Sequence, residues 1–145
     1  MHKAIAILVA LLFITSVAAC TLPPLQKKDE RVAAALADPQ ASFFEASRKG
    51  DIAMVMRLME EKRIDVNQTD AYAWTGLMYA VQNGHIGLAE YFLLQKSQIN
   101  RQEKDGLTPL MIAANERQPD VVDLLLAFGA DPLAQDKHGY TALMW

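Results

Sequence analysis

The chain has 145 residues, 52% apolar and 21% charged, which describes about one globular domain and excludes a disordered segment. A formal net charge of −3 offers no basic field for nucleic acid or anionic lipid. A single cysteine excludes an intramolecular disulfide and a cysteine-based zinc site, and the three histidines lie far apart, at 2, 85 and 138.

The first element is a leader. Residues 1–20 read MHKAIAILVALLFITSVAAC, with Lys3 at the start and no charge, glycine or proline from Ala4 to Ala19. Spanning a bilayer takes roughly 20 apolar residues, so this stretch is short for a permanent span and fits a secretory signal. Its end, Val17-Ala18-Ala19-Cys20, resembles the lipobox of bacterial lipoproteins. The resemblance implies that residues 1–19 are a signal peptide, that the Cys20 thiol carries diacylglycerol, and that the new amine is acylated too. Two or three acyl chains anchor stably where one does not. Thr21, rather than an aspartate, follows. By similarity to enterobacterial sorting this places the mature protein in the cell envelope, lipid-anchored at the outer membrane and facing the periplasm.

Loss of Lys3 takes the net charge from −3 to −4. Residues 20–37 are expected to hold the lipidated cysteine, a proline-containing tether and a short capping helix in Val32–Ala37. Lys27, Lys28 and Arg31 sit beside Asp29 and Glu30 and read as linker.

From residue 38 onward a period of 33 governs the chain. Thr75, Thr108 and Thr141 keep that spacing, as do Leu77, Leu110 and Leu143, and Met78, Met111 and Met144. Asp70, Glu103 and Asp136 form an acidic column at the same interval. Each threonine is placed to cap a helix, and Pro109 suits a first helical position, where its missing N–H costs nothing. Leu110, Ala113 and Ala114 make an apolar helical face. Pro119 and Asp120 open a second helix whose buried side holds Val121, Val122, Leu124, Leu125 and Leu126, and Gly129 ends it with a positive φ. Asp105-Gly106 and His138-Gly139 are turn signals.

The period and its motifs resemble the ankyrin repeat. The clearest copy is DGLTPLMIAANERQPDVVDLLLAFGADP, from Asp105 to Pro132, and a second runs from Asp70 to Asn100. A divergent copy spans Phe43 to Asn67, with one extra residue expected in the loop near Lys62-Arg63. The resemblance implies an all-α solenoid of stacked helix-turn-helix units with projecting hairpin-like loops. Its repeats would fall at 38–67, 68–100, 101–133 and, partially, 134–145. One unit cannot bury its own apolar face, so the units stack.

Departures from the pattern are informative. The family histidine of TPLH is methionine at 78, 111 and 144, which reads as core packing in place of a directional hydrogen bond. Ala73 stands where glycine is expected, and Arg117-Gln118 replaces Gly-His, leaving that turn less ideal. The sequence reaches Trp145 within a helical turn of the partial repeat, which is read as a fragment, a truncation or an edge that another molecule covers.

No nucleophile elbow, P-loop, zinc-protease or dinucleotide fingerprint occurs. Cys20 is consumed by acylation, His85 matches the structural Gly-His turn, and Glu60-Glu61 reads as solvated charge. The chain is therefore expected to be no enzyme, with no cofactor, metal, nucleic acid or small-molecule substrate. The function implied is a membrane-tethered protein-interaction module. The alternatives are an immunity or accessory protein for a secreted toxin or envelope enzyme, and an enzyme with a dispersed site. The binding surface is placed on the loop tips and first helices. Trp74, Leu107 and Tyr140 form a large apolar column just before the capping threonine, flanked by Tyr72 and His138. Gln82, Asn83, Asn115 and Glu116 give a polar border, with Lys104 and Asp105 on the middle tip. Either these side chains meet a partner, or they fold onto neighbouring tips and brace the stack.

Overall fold

The computed structural model describes residues 38–145; Cys20, the leader, the tether and the Val32–Ala37 helix lie outside the described residues. Six α-helices follow in order: α1 (Pro39–Lys49), α2 (Ile52–Lys62), α3 (Gly76–Gln82), α4 (Ile86–Leu94), α5 (Pro109–Asn115) and α6 (Pro119–Ala127), then a 3-10 turn at Ala142–Met144. Among the described residues there is no strand, only an antiparallel bridge between Thr69 and Thr75 at the base of one loop. This is the all-α stack of helix pairs that the period predicts. None of these helices is long and apolar enough to cross a membrane.

The helix starts are built locally. Asp38 and Asp51 accept from Ala41 N and Met54 N, and Thr75 and Thr108 accept from Met78 N and Met111 N at 3.2 and 3.3 Å. Met111 does more than pack, because its Sδ accepts the Thr108 N–H at 3.5 Å and closes the cap from the other side. Thr141 departs from expectation: its hydroxyl makes no cap bond, since only a single 3-10 turn follows it. Met144 is likewise 66% exposed, while Met78 and Met111 are buried as expected. Leu126 is 43% exposed rather than buried. Its period-mate Leu93 lies on α4, against which α6 packs; α6 itself has no later helix pair against it among the described residues.

Among the described residues, every positive-φ residue belongs to the period. Gly50, Gly84 and Arg117 turn between paired helices; Arg63, Lys96 and Gly129 follow the second helices; Ala73, Gly106 and Gly139 turn the loop tips. The extra residue of the first repeat does not enlarge the loop near Lys62-Arg63, where the sequence led it to be expected. It lies within the α2 segment: the left-handed residues that bracket the second helix are Gly50 and Arg63 there, one residue farther apart than Gly84 and Lys96 or Arg117 and Gly129, because a helix gains a backbone hydrogen bond with each residue added.

The Arg117-Gln118 turn is better satisfied than its sequence suggests. His85 Nε2 donates to Arg48 O at 2.9 Å, tying α4 to the preceding repeat, and Gln118 Nε2 makes the equivalent bond to Gln82 O at 3.1 Å. Asn67 and Asn100 tie the second loops in the same way, accepting from Gln98 N and Asp131 N.

The core runs continuously between helix pairs. Phe43 of α1 and Phe92 of α4 meet edge to face at 5.9 Å and are fully buried with Leu58, Leu77, Leu88 and Leu125. Gly76 sits where the next repeat has Pro109. A Cβ there would lie 2.7 Å from Phe92 Cζ and 2.9 Å from Phe43 Cζ, so the two rings leave room for glycine alone.

Candidate functional site

The loop tips are rigid because of the acidic column. Asp70 Oδ1 accepts from Tyr72 N and Trp74 N, Glu103 Oε1 from Asp105 N and Leu107 N, and Asp136 Oδ1 from His138 N and Tyr140 N. The same three residues donate their own N–H to the carbonyls of Trp74, Leu107 and Tyr140 at 2.9–3.1 Å. Each acid thus closes a five-residue loop with three hydrogen bonds, and Glu103 and Asp136 are buried in doing so. The 33-residue spacing of these acids was the signal for this role.

Successive tips are then joined side to side. Lys104 N donates to Tyr72 O and Lys137 N to Asp105 O, at 3.3 and 3.1 Å. Gly106 permits this approach, since a Cβ on it would lie 2.8 Å from Lys137 N. The side chains repeat the pairing: Lys104 Nζ stands 5.6 Å from the centre of the Tyr72 ring, and Lys137 forms an ion pair with Asp105. That hydrogen-bonded pair holds Asp105 below the usual carboxylate range and Lys137 above the usual lysine range. Tyr72, Lys104 and Asp105 therefore contact neighbouring tips. Asn83 is exposed and donates to Tyr79 O, and the His138 ring lies 6.3 Å from Tyr140.

One layer below the tips, five of the expected surface residues converge. Trp74 and Leu107 from the loops, with Gln82, Asn115 and Glu116 from the ends of α3 and α5, line one cleft of about 120 Å³. Met111, Ile112 and Trp145 complete it, three residues that sequence reasoning did not include. Met111 reads in sequence as core, and both it and Ile112 present only a small edge to the cleft.

Aromatic neighbours back both indoles. Trp74 rests on Tyr79 at 5.1 Å between ring centres, and Trp145 meets the half-exposed Tyr140 edge to face at 6.2 Å. Tyr79 is held in turn by its OH, which donates to Asp70 Oδ2 at 2.6 Å. Burial, with the Asp70 carboxylate alongside, pushes the Tyr79 phenol up to about 12. The rim holds two amides, Gln82 and Asn115, and one carboxylate: Glu116 makes no ion pair among the described residues and accepts only a long 3.4 Å bond from Asn115. No group of metal-ligating side chains forms among the described residues.

The sequence of this region matches known repeats. A family model described as "Ankyrin repeats (3 copies)" matches residues 77–145, and one described as "Ankyrin repeats (many copies)" matches residues 43–93. The chain is similar to mouse protein phosphatase 1 regulatory subunit 27, with 26% identity over 97 residues, 67% of this chain and 63% of that protein. It is similar to mouse ankyrin repeat and SAM domain-containing protein 6, 31% identical over 101 residues, 69% of this chain and 11% of the relative. A zebrafish (Danio rerio) protein, ankyrin repeat domain-containing protein 29, is 39% identical over 63 residues, 43% of this chain and 21% of its own. The chain spans less than two thirds of the length of each of these relatives.

Proposed function

Across residues 43–145 this chain belongs to the ankyrin-repeat family, and from that premise we propose that it is a lipid-anchored protein-interaction module of the bacterial cell envelope. The observation that carries the anchor is the unique cysteine, Cys20, directly after Val17-Ala18-Ala19 and an uncharged apolar run. Acyl chains on Cys20 hold the array at the outer membrane, and the tether presents it to a periplasmic or envelope protein. The work it does there is binding, not catalysis. No nucleic acid, small-molecule substrate or cofactor enters this reading.

The interaction surface in this reading is the loop-tip and first-helix face, from Tyr72 and Trp74 to His138 and Tyr140. Its support is the convergence of Trp74, Leu107, Gln82, Asn115 and Glu116 on one cleft. Interfaces concentrate their binding energy in such aromatic anchors.

Two experiments test it. Cells fed a labelled fatty acid are expected to label the native protein and not Cys20→Ala, which should leave the membrane fraction. Equal labelling of both removes the anchor. Crosslinking of the full-length anchored protein should attach one partner with defined stoichiometry. Trp74→Ala and Tyr140→Ala should then lose that partner while the melting temperature shifts little. Full capture by both variants would take the binding surface away from this face.

A further inference from the structure

The cleft between the two indoles has a size and chemistry that select an occupant. Small-molecule sites run to about 300–1,000 Å³, well above the 120 Å³ here. An apolar cavity of about 150 Å³ holds one benzene ring. The volume therefore suits a single aliphatic or aromatic side chain. The walls are mixed: Trp74, Trp145 and Leu107 supply the apolar side, with a small edge of Ile112, and Gln82, Asn115 and Glu116 supply the polar side.

The rim adds a charge preference. Glu116 lines the cleft with no ion pair among the described residues, although the ends of other helices do pair their charges: Arg48 and Lys49 with Glu45, and Arg57 with Glu61. The whole chain is net negative at −3, so the long-range field acts in the same direction as this carboxylate. A cation next to the anchor would meet Glu116. An anion there would meet an unpaired carboxylate, with repulsion that specificity exploits. Neighbouring Gln82 and Asn115 carry amides suited to an extended backbone.

Resting on the interaction-module reading above, we propose that this cleft is the socket for one apolar side chain of a partner protein, carried on a segment with a lysine or arginine beside it. The anchor fills the space between Trp74 and Trp145, and the adjacent cation pairs with Glu116.

Both tryptophans of the chain line this cleft, so intrinsic fluorescence reports its occupancy directly. The probe is a random linear peptide library displayed on phage and panned against the full-length protein in detergent. The expected consensus is Leu, Ile, Met or Phe with Lys or Arg within two positions. The synthetic consensus peptide should shift the tryptophan emission on saturation. Glu116→Gln should weaken it about threefold to fivefold, as for a rim ion pair. Glu116→Lys should weaken it further and regain affinity when the peptide's base is changed to Glu. That charge exchange separates a lost contact from a lost fold, and circular dichroism of each variant checks the fold independently.

A consensus without a base, a library that returns no peptide, or peptides that bind while the emission stays unchanged would each overturn the socket. Silent binding elsewhere would leave the interaction module standing. Failure of acylation or crosslinking would count against that broader reading while leaving the peptide result intact.

Discussion

At the residue scale, backbone strain is shared unevenly within a periodic design. Among the described residues, five of the nine positive-φ positions are glycine; Arg63, Ala73, Lys96 and Arg117 are not. A left-handed residue with a Cβ costs roughly 1–2 kcal/mol, partly offset because glycine loses about 0.5–1 kcal/mol more on folding. Ala73→Gly, at φ 64, is therefore expected to raise stability by about 0.5–1 kcal/mol in urea titration. Ser97→Ala should also stabilise, by about 1 kcal/mol, because the buried hydroxyl has no hydrogen-bond partner among the described residues. Its period-mates, Ile64 and Ala130, are apolar and buried. A fall in stability for either variant would contradict these assignments.

Tyr79 gives the residue scale a pH signature. Its phenol is pushed up to about 12 in the folded protein from an ordinary 10.0, so folding favours the neutral form. The contribution is full below pH 10.0 and is lost as pH rises towards about 12. Burial, with Glu60 nearby, also raises the Tyr91 phenol, so ultraviolet titration should show more than one late phenolate; Tyr79→Phe should remove the one near 12, and the variant's stability should fall less steeply across that window. An unchanged number of late phenolates in Tyr79→Phe would assign the transition near 12 elsewhere.

At the element scale, two positions control how helices and loops meet. Gly76 opens α3 directly against Phe43 and Phe92. Gly76→Ala should destabilise by about 1–3 kcal/mol through overpacking, although alanine is the better helix former. Adding Phe92→Leu should recover part of the loss by withdrawing the nearer ring, and an additive double variant would refute the clash. Glu103 closes the middle tip by accepting from two backbone N–H groups. Glu103→Ala leaves those donors without their acceptor and should cost about 1–3 kcal/mol, whereas Glu103→Gln keeps a carbonyl oxygen and should cost less. Amide exchange at Asp105 and Leu107 reads this directly, since only the alanine variant should speed both.

At the scale of the whole molecule, stability is passed between neighbours along a line. Helices of one repeat pack on those of the next, α1 with α3, α3 with α5, and α4 with α6. Such arrays behave as coupled units with nearest-neighbour terms. A cavity in the middle should therefore spread both ways, while one in the last helix pair should stay local. Phe92→Ala is expected to raise hydrogen exchange from α1 to α6. Leu125→Ala should raise it in α5 and α6 and leave α1 and α2 protected. Uniform loss of protection in both variants would show a single cooperative core in place of a line of units.

What the sequence alone determined is the repeating frame, because a period of 33 places threonines at helix starts, tight turns at left-handed positions and acids beneath the loop tips. Those are interactions over a few residues, and their pattern is visible in one dimension. It also identified Trp74, Leu107, Gln82, Asn115 and Glu116 as residues of one face. Only the tertiary structure decided what that face contains. Tyr72, Lys104 and Asp105 engage neighbouring tips, because adjacent loops approach within backbone hydrogen-bond distance. Met111, core by pattern, and Ile112 reach the cleft beside Trp74 and Leu107 from the loops of two repeats. Gln118 takes the role of His85 because its amide reaches the same carbonyl position in the preceding repeat. Trp145 joins Trp74 across residues 71 apart in the chain, a relation no local pattern encodes, because it depends on how far each repeat is displaced from the last.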